Sequence, residues 1–368
     1  MTKVCHVTSV HEPLDDRIFI KECVTLAKNG FQVTLVAPGD SFEKDGVKIV
    51  GCGERPENRI KRAFSFDKTV FGKALAQDAD IYHFHDPEML KYAVKLVRHG
   101  KKVIFDSHED VPAQIMDKPW IPKIFRPAVS SRYERYETRS VKELTAVVAA
   151  TEFIEEKFRT RCNKTITICN YPKLDDIVFQ EKPFSDRSKQ ACYAGGISVI
   201  RGEKIMTDAM RPLDGYTLKL AGGCENDVIK SNSHPNVEYV GMLDRKGVNA
   251  LYGESRVGLS VLMPTANYIN SLPIKMFEYM AAGLPVIASD FPVWRKVVEQ
   301  NQCGTLVRPD DIQKITETIK MYIDDPEMAQ EQGKRGRAAV IGKYNWEVEG
   351  SRLLDFYESL QRGEKPLT

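Results

Sequence analysis

The feature that most constrains the fold is a repeated alternation of short apolar runs with amphipathic stretches. In the first half of the chain the runs lie at residues 4–8, 32–37, 81–84, 102–105 and 146–148. A second series lies at 191–194, 217–221, 237–240, 258–262, 285–288 and 305–307. Between the runs lie helical patterns, such as 18–28 and 89–98. This alternation predicts an α/β protein, in which helices cover the faces of parallel sheets.

The two series are separated by a charged, proline-containing and weakly periodic stretch at residues 170–189. Such a stretch is typical of a linker, and a chain of 368 residues is long enough for two domains. We therefore expect one Rossmann-like domain at 1–172 and a second at 173–345, with a last helix at 346–368 that returns to the first. Two such domains leave a cleft, and ligands of these sheets bind at the carboxyl ends of strands.

Composition and charge exclude several classes of protein. A net charge of +2 argues against a dedicated nucleic-acid-binding protein. The first residues lead directly into an apolar run without the features of a signal peptide, and no stretch approaches the ~20 apolar residues of a membrane-spanning helix. The eight cysteines are scattered and form no Cys-x-x-Cys pair, which is typical of reduced, buried thiols. We expect a cytoplasmic protein.

Residues 270–283 predict a buried helix that carries Lys275 and Glu278. Ser271 suits the N-cap, Pro273 the first turn and Gly283 the end of the helix. The remaining positions are apolar, so the helix is expected to be buried, and a buried carboxylate needs a partner. In one interpretation Glu278 forms a structural salt bridge with Lys275, one turn away. In the other, the helix start and Lys275 bind phosphate while Glu278 accepts ribose hydroxyls.

Paired glycines follow two strands of the second series. Gly195 and Gly196 precede Arg201, and Gly222 with Gly223 repeats the pattern after the next strand. Glycines after a strand allow the backbone to approach a ligand closely, and an arginine can bind phosphate oxygens through two hydrogen bonds. These residues form a second candidate phosphate site.

In this order, the segments resemble the C-terminal domain of retaining GT-B glycosyltransferases of family 4. The matching residues are Gly195-Gly196-Ile197 with Arg201-Gly202, followed by Glu278, Gly283 and Pro285-Val286-Ile287. The resemblance covers nearly the whole chain and is most specific at 278–287. It implies a GT-B fold and transfer of a hexose or N-acetylhexosamine from a nucleotide-sugar, with UDP favoured over GDP. The implied acceptor is a glycan or a polyprenyl-diphosphate-linked sugar of surface polysaccharide synthesis.

The resemblance also implies the roles of individual residues. The donor-binding set is Gly195, Gly196, Arg201, Gly222, Met242, Leu243, Asn270, Ser271, Leu272, Lys275 and Glu278. Arg201 and Lys275 are expected to stabilise the departing diphosphate, with the phosphate itself taking the acceptor proton; no cofactor or metal is expected. Two positions depart from the family pattern, since Asn270 stands where the first Glu is usual and Gly196 where the turn arginine is usual. Lys275 is expected to supply the missing positive charge.

Histidines cluster at the strand ends of the first series. They are His6, His11, His83, His85 and His108. His83 and His85 alternate along a strand and therefore point to one face. By the resemblance, His108 approaches the reacting sugar and, with Glu109, is assigned to the catalytic set, ahead of His85.

The expected acceptor-side residues are His11, Asp16, Arg17, His85, Asp86 and Asp110. Asp15 and Asp16 have an alternative role as caps of the helix that follows them. Asp78-Ala79-Asp80 matches a metal motif of the other glycosyltransferase fold, but it precedes a strand instead of following one, so we interpret it as a solvated turn.

A basic and aromatic stretch at residues 118–127 contains Trp120, Ile124, Phe125 and Arg126. Further basic residues are Arg59, Lys61, Arg62 and Lys68. Basic residues interleaved with large apolar ones suit an anionic membrane surface, which would attach the protein peripherally to the inner face of the plasma membrane. The alternative is a loop packed over the cleft.

Three rival functions are open to such a chain. A nucleotide-sugar 2-epimerase would use the same fold without an acceptor. A non-catalytic nucleotide-sugar-binding protein is favoured if Asn270 has disabled donor use. A dinucleotide oxidoreductase is disfavoured, because no strand is followed by Gly-x-Gly-x-x-Gly.

Overall fold

The structure is a computed structural model that describes residues 1–58, 65–118, 120–224 and 234–362. Arg59, Lys61 and Arg62 of the predicted basic surface lie outside these residues. The chain divides into two compact units, and each is considered by itself below. Unit 1 comprises Met1–Asn170 together with the residues from Glu349 onward, and unit 2 comprises Tyr171–Val348. The sequence had placed the corresponding boundaries at 172/173 and 345/346.

The described part of unit 1 contains an eight-stranded sheet. Its strands are β1 (Lys3–Val7), β2 (Gln32–Ala37), β3 (Phe42–Lys44), β4 (Val47–Gly51), β5 (Ile81–Phe84), β6 (Lys102–Ser107), β7 (Ala146–Ala149) and β8 (Thr165–Thr167). The order is β3-β4-β2-β1-β5-β6-β7-β8, and every neighbouring pair is parallel except β3 with β4. The strand order reverses between β1 and β5, which is where open α/β sheets bind ligands.

Helices cover both faces of this sheet. A π-helical turn at Asp16–Cys23 leads into α1 (Val24–Lys28), and then follow α2 (Asp67–Leu75), α3 (Leu90–Arg98), α4 (Val111–Asp117), α5 (Arg126–Glu143) and α6 (Glu152–Arg159). On one face the apolar side of α3 meets β5 and β6 in a cluster that includes Leu90, Leu96, Phe84 and Phe105, all of which are buried. Helix α3 therefore has its hydrophobic positions on one side, as its sequence pattern predicted.

The described part of unit 2 contains a six-stranded sheet. Its strands are β9 (Gln190–Ala194), β10 (Thr217–Ala221), β11 (Val237–Gly241), β12 (Val257–Ser260), β13 (Val286–Ser289) and β14 (Gly304–Val307). They are parallel throughout, in the order β11-β10-β9-β12-β13-β14. This is the 3-2-1-4-5-6 order of Rossmann sheets, and its switch point lies between β9 and β12.

The helices of unit 2 follow its strands in alternation. They are α7 (Glu203–Met210), α8 (Arg245–Glu254), α9 (Ala266–Ile269), α10 (Ile274–Ala281), α11 (Pro292–Asn301), α12 (Ile312–Asp324) and α13 (Pro326–Gly342). The last described helix, α14 (Trp346–Arg362), belongs to unit 1 from Glu349 onward. In that unit Glu349 accepts a hydrogen bond from the backbone N–H of Cys169 at 2.8 Å, and Tyr357 is fully buried.

The predicted α/β class and the predicted strands are confirmed, with ends that differ by one or two residues. The pattern missed three strands, namely β3, β4 and β8. Strand β3 has the sequence Phe-Glu-Lys and is exposed along its whole length, so it carries no apolar run. Strand β8 is only three residues long and contains two threonines.

The close approach of α13 to the end of α10 depends on a glycine. Gly283 ends α10 with a φ of +76°, and a Cβ on Gly333 of α13 would lie 1.8 Å from the Gly283 carbonyl oxygen. We therefore expect Gly333→Ala to destabilise the protein by about 1–3 kcal/mol through overpacking. Gly342→Ala at the end of the same helix meets nothing within 4 Å and should be neutral or stabilising. Urea unfolding of both variants measures this; equal stability would contradict the packing argument.

Candidate active site

Helix α10 is buried along its length, as predicted, but it begins differently from the prediction. Lys275 through Ala281 are all buried, and the N-cap residue is Pro273. The prediction that Ser271 caps this helix is wrong. The short helix α9 runs up to Asn270, and the Ser271 hydroxyl donates back to the carbonyl of Tyr268 at 3.3 Å. The predicted end of the helix at Gly283 is confirmed.

Lys275 places a buried cation at the end of β9. Lys275 is only 7% exposed, and its Nζ lies 3.7 Å from the ring centroid of Tyr193. A Cβ on Gly195 would approach this Nζ to 3.0 Å, so glycine leaves the space that the ammonium group occupies. Burial, and then the nearby charge of Arg201, lower the pKa of Lys275 well below its usual value, while Glu278 acts in the opposite direction.

Glu278 has other partners than Lys275. Its Oε1 accepts a hydrogen bond from Nη1 of Arg245 at 2.8 Å, and its Oε2 accepts one from the hydroxyl of Tyr252, also at 2.8 Å. The interpretation of Glu278 as a salt-bridge partner of Lys275 is therefore wrong, because the carboxylate is bound by residues of α8. A carboxylate offers about four lone-pair sites, so Glu278 retains acceptor capacity beyond these two bonds.

Arg201 lies on the turn Val199–Arg201 that follows the glycine pair. Its Nε donates to the hydroxyl of Tyr268 at 3.3 Å. A Cβ on Gly196 would lie 2.9 Å from Nη1 of Arg201, and a Cβ on Gly222 would lie 2.0 Å from the Gly195 carbonyl oxygen. The structure thus brings Arg201 and the predicted glycines to one edge of the sheet, beside Lys275. In the part of unit 2 that the structure describes, neither cation forms an ion pair with a carboxylate.

The other predicted donor residues surround this edge less closely. Met242 follows β11, is 76% exposed and lies near Gly223, and Leu243 packs near Gly247 in α8. Asn270 follows α9 directly, and the Ser271 carbonyl accepts a hydrogen bond from Nε1 of the buried Trp294 at 2.6 Å. Leu272 lies between them and α10, half-buried.

In unit 1, the buried carboxylate of Asp106 joins the ends of three strands. It accepts hydrogen bonds from Nε and Nη2 of Arg17, both at 2.9 Å, one from each side of the guanidinium fork. It also contacts Nδ1 of His85 at 3.3 Å and Nε2 of His108 at 2.8 Å. Burial alone would raise the pKa of this carboxyl, but Arg17 and then His108 hold it well below its usual range.

Arg17, which the sequence predicted on the acceptor side, is buried inside unit 1 among polar partners. It is 4% exposed, and its Nη1 donates to the carbonyl of Ile168 at 2.9 Å while its Nε lies 3.1 Å from Glu22. Its donors are therefore bound inside the unit. The sequence interpretation also missed Asp106 and Glu22 themselves. A buried arginine requires such partners, but the spacing along the chain does not show which carboxylates supply them.

Three histidines and a tyrosine continue from Asp106 into the core. His6 Nδ1 lies 2.9 Å from His85 Nε2, and the hydroxyl of Tyr357 lies 3.4 Å from His6 Nε2 and 2.8 Å from His83 Nδ1. Burial, followed by neighbouring imidazoles, lowers the pKa of His6 and His83 well below its usual value. Burial likewise lowers the pKa of His85 to about 4. The rings are therefore neutral at neutral pH.

Two groups in this region have metal-binding geometry. One is His6, Glu22, His83 and His85, and the other is His85, Asp106 and His108. The positive guanidinium of Arg17 already contacts both carboxylates, where a metal ion would have to bind. Direct hydrogen bonds therefore account for the arrangement of these side chains, and the residues fit a metal ion poorly.

A cavity of about 530 Å³ opens beside this cluster in unit 1. The predicted residues that line it are His11, His85, Asp86, His108 and Glu109, and it is also lined by Glu88, Lys118, Tyr133 and Tyr136. Asp106 lines it as well, so four carboxylates and two tyrosines give it a polar, partly aromatic wall. Burial lowers the pKa of His11, but the hydrogen bond to Asp15 and the charge of Asp86 together raise it above its usual value, which favours the charged form of the ring.

Asp16 and Asp110 do not line this cavity, contrary to the prediction. Asp16 pairs with Lys21 at 2.6 Å on the outer side of its turn. Asp110 caps α4 through the N–H of Ala113 and forms an ion pair with Lys157. The helix-capping role proposed for Asp15 or Asp16 is confirmed for Asp15, which accepts from the N–H groups of Arg17 and Ile18.

The acidic pair Asp78 and Asp80 lies in the turn before β5, as predicted. Asp78 has a φ of +45° and pairs with Lys101 at 2.6 Å, and Asp80 accepts a hydrogen bond from the backbone N–H of Lys3 at 2.8 Å. This turn is at the amino end of the strand, away from the edge that carries the histidines.

The basic and aromatic stretch presents large apolar side chains at the surface. Trp120, Ile124 and Phe125 are 55%, 80% and 57% exposed. Arg126 anchors the stretch through hydrogen bonds to the carbonyls of Ile121 and Met116. None of the described helices is both long enough and apolar enough to span a membrane.

Two sheets of Rossmann type, each with polar residues at its switch point, define an α/β nucleotide-binding class of enzyme. Comparison with known proteins identifies the family. The description Glycosyltransferase Family 4 matches residues 20–170, and Glycosyl transferases group 1 matches residues 180–339, so the two cover most of both units. The chain belongs to the GT-B glycosyltransferases of family 4, as its sequence motifs indicated.

Individual relatives agree with this assignment. A phosphatidyl-myo-inositol mannosyltransferase of Mycobacterium leprae is 21% identical over 90% of this chain and 89% of its own length. Sucrose-phosphate synthase from Thermosynechococcus elongatus has a TM-score of 0.80 at 17% identity, over 99% of this chain and all of that one. HepE of Anabaena in complex with UDP-glucose has a TM-score of 0.75 at 13% identity, over 98% of this chain and 100% of that one. These structures establish the GT-B fold.

The buried carboxylate of Glu22 generates a prediction about pH. Burial, and then the charge of Asp106, raise the pKa of Glu22 well above its usual value of 4.5. Between that value and the raised one, folding takes up a proton, so wild-type stability falls as pH rises. Glu22→Gln carries the equivalent of that proton permanently. We expect it to be more stable than the wild type by a margin that grows from pH 5 to pH 8, measured by urea unfolding. A difference in unfolding free energy between the two proteins that does not change with pH would contradict the raised pKa of Glu22.

Proposed function

We propose that this glycosyltransferase binds the diphosphate of a nucleotide-sugar at the edge of β9 and β12 in unit 2. The observation that carries the proposal is the pair Lys275 and Arg201, two cations without a carboxylate partner among the described residues of that unit. They lie beside Gly195 and Gly196, where a side chain would fill the space in front of them. A diphosphate supplies the negative charge that these groups lack and relieves their mutual repulsion.

The rest of the donor is assigned by the chemistry around that pair. Glu278, fixed by Arg245 and Tyr252, accepts the ribose hydroxyls through its remaining lone pairs. We favour UDP over GDP as the nucleotide; HepE of Anabaena, which shares the fold, has been solved with UDP-glucose. The sugar is a hexose or an N-acetylhexosamine. Asn270, where the family usually has Glu, can both donate and accept a hydrogen bond to its hydroxyls.

The proposed transfer retains the anomeric configuration and needs no metal. Lys275 and Arg201 stabilise the departing diphosphate, and a phosphate oxygen takes the proton of the acceptor hydroxyl as the new glycosidic bond forms. The carboxylate next to these cations, Glu278, is bound by Arg245 and Tyr252, which agrees with a mechanism that uses no carboxylate nucleophile. The anomeric configuration of the product, read by proton NMR, tests this step.

The acceptor sugar is assigned to the cavity of unit 1. Its carboxylates, which are Asp86, Glu88, Asp106 and Glu109, suit a polyhydroxylated ring and disfavour a phosphate group. Tyr133 and Tyr136 supply aromatic surface for the ring. A lipid diphosphate attached to that sugar is better placed near Lys118 and the exposed apolar side chains that follow it. The mannosyltransferase relative from Mycobacterium leprae is also named for a lipid acceptor, and we place this protein in surface polysaccharide synthesis.

Calorimetric titration with a panel of UDP- and GDP-sugars tests the donor assignment. We expect one nucleotide class to bind, with release of the nucleoside diphosphate in the presence of a glycan acceptor. Conversion of the sugar to its 2-epimer without any acceptor would identify a 2-epimerase instead. Binding without turnover under either condition would identify a non-catalytic binding protein, and no binding by any member of the panel would overturn the proposal.

Removal of the Lys275 ammonium group should weaken donor binding. Lys275→Ala is expected to raise the Kd of the nucleotide-sugar by roughly 10- to 100-fold, because hydrogen bonds to charged groups contribute about 1.5–3 kcal/mol. The lowered pKa of Lys275 adds a signature: the diphosphate favours the charged form, so wild-type binding takes up protons and weakens as pH rises. Lys334→Ala, on an exposed face of α13, is the control. Unchanged affinity in Lys275→Ala contradicts the role assigned to Lys275.

The exposed stretch at Trp120–Arg126 should bind anionic lipid. Sedimentation with phosphatidylglycerol vesicles at low salt is expected to recover the wild type, and high salt should abolish the binding because lysine and arginine contacts are screened. Ile124→Ser with Phe125→Ser should reduce recovery to the level of neutral vesicles. Ile341→Ser, at a half-exposed isoleucine of α13, is the matched control. If the wild type does not bind the vesicles at low salt, the proposal that this stretch binds an anionic membrane is wrong.

A further inference from the structure

We propose that Asp106 is a positioning residue for sugar transfer, which holds His108 in the tautomer that presents a bare Nδ1 to the cavity of unit 1. The proposal rests on the proposed function for its effect on transfer. The tautomer itself is a property of the protein without any ligand. No sequence motif singled out Asp106. It lines the cavity of unit 1 together with His108.

The hydrogen-bonding of Asp106 determines the tautomer of its neighbours. The carboxylate is ionised, so it only accepts hydrogen bonds. His108 Nε2 lies 2.8 Å from Oδ2, so this nitrogen carries the proton. A neutral imidazole has one N–H, which leaves Nδ1 of His108 as an acceptor. His108 is partly exposed to the cavity, where such an acceptor receives a hydrogen bond from a sugar hydroxyl.

Behind Asp106, a buried series of hydrogen bonds joins His85, His6, Tyr357 and His83. In each of these bonds the proton can be donated toward Asp106. His85 donates from Nδ1 to Asp106, so its Nε2 must accept from Nδ1 of His6. His6 Nε2 is then an acceptor for the hydroxyl of Tyr357, whose oxygen accepts from Nδ1 of His83. This assignment leaves Nε2 of His83 as a bare acceptor. That atom is buried and has no hydrogen-bond partner, as expected at the end of a directed chain.

Replacement of Asp106 by asparagine weakens the hydrogen bonding that holds the His108 proton on Nε2. Asp106 faces four donors: two from Arg17, one from His85 and one from His108. Asparagine has a single acceptor oxygen and a donating amide group. Oδ2 of Asp106 accepts from Nε of Arg17, His85 and His108, whereas Oδ1 accepts from Nη2 of Arg17. If the asparagine oxygen takes the Oδ1 position, the amide faces His108; if it takes the Oδ2 position, three donors compete for one neutral oxygen and the amide faces Nη2 of Arg17. In either orientation His108 loses the ionised acceptor that holds its proton on Nε2.

Glu22 provides a matched control for the substitution. It is as buried as Asp106 and also contacts Arg17, and among the contacts of the described residues it makes none with His108. Burial, and then the charge of Asp106, raise the pKa of Glu22 well above its usual value and favour the protonated acid, which Glu22→Gln imitates in shape and charge. A general disturbance of the buried cluster should affect both variants, whereas loss of the His108 tautomer should affect Asp106→Asn alone.

The decisive experiment is the ¹⁵N NMR spectrum of the histidine rings in the full-length protein without ligand. The His108 signals are assigned by their loss in His108→Gln. For the uncharged ring we expect the Nε2–H form. The Nδ1–H form in the wild type would overturn the proposal. This measurement needs no known substrate, so its outcome is independent of whether the donor assignment stands.

Kinetics with the sugar nucleotide that binds most tightly in the calorimetric panel give a second readout, as nucleoside diphosphate release. Asp106→Asn is expected to lower kcat by about 10- to 100-fold, the effect of one misdirected hydrogen bond in the transition state, with KM for the donor within about twofold. Glu22→Gln should keep both constants. A folded Asp106→Asn protein with wild-type kcat, or an equal loss in Glu22→Gln, would overturn the positioning role.

Discussion

The buried ion pair between Arg17 and Asp106 is the interaction on which the polar edge of unit 1 depends. Arg17 lies in the π-helical turn after β1, Asp106 lies in β6, and the guanidinium also binds the Ile168 carbonyl just after β8. One side chain thus ties together segments from distant parts of the sequence. Removing either member of a buried pair leaves an uncompensated charge and costs about 3–5 kcal/mol, so the pair contributes strongly to the stability of this edge. The histidines are arranged around this pair.

Unit 2 brings its strand ends together by a different means. Gly222 lies against the Gly195 carbonyl, and Gly202 approaches the Val261 carbonyl so closely that a Cβ would lie 1.8 Å from it. Gly195, Gly202 and Gly222 have positive φ angles that other residues rarely adopt. Close backbone packing, instead of ion pairing, therefore sets the shape of this edge. Among the residues of unit 2 that the structure describes, Lys275 and Arg201 have no carboxylate partner.

The sequence predicts what depends on local pattern and fails where partners come from distant strands. The runs that became β5, β9 and β13 were recognisable because both of their faces are buried, which makes the run continuously apolar. The exposed strand β3 has no such signal. Lys275 and Glu278 were found from their helix, yet the partner of Glu278 is Arg245, whose position depends on strand order. Asp106 was missed for the same reason: β1, β5 and β6 are neighbours only in the folded sheet.

The polar edges of unit 1 and unit 2 differ in how their charges are balanced. This difference suits them to different ligands in the proposed sugar transfer. In unit 1, Asp106 is saturated by donors, and burial keeps the histidines behind it neutral, so the arrangement of donors and acceptors is fixed before any ligand arrives. In unit 2, the buried Lys275 is held with a lowered pKa beside a second cation, a state that an anionic ligand relieves. The fixed edge suits selection of an uncharged sugar by hydrogen-bond direction, because reorienting a buried network is costly. The unbalanced edge suits the diphosphate of the proposed donor, whose negative charge is largest at the moment when it leaves the sugar. In the proposed transfer, stabilisation by Lys275 and Arg201 would therefore grow as the transition state is reached.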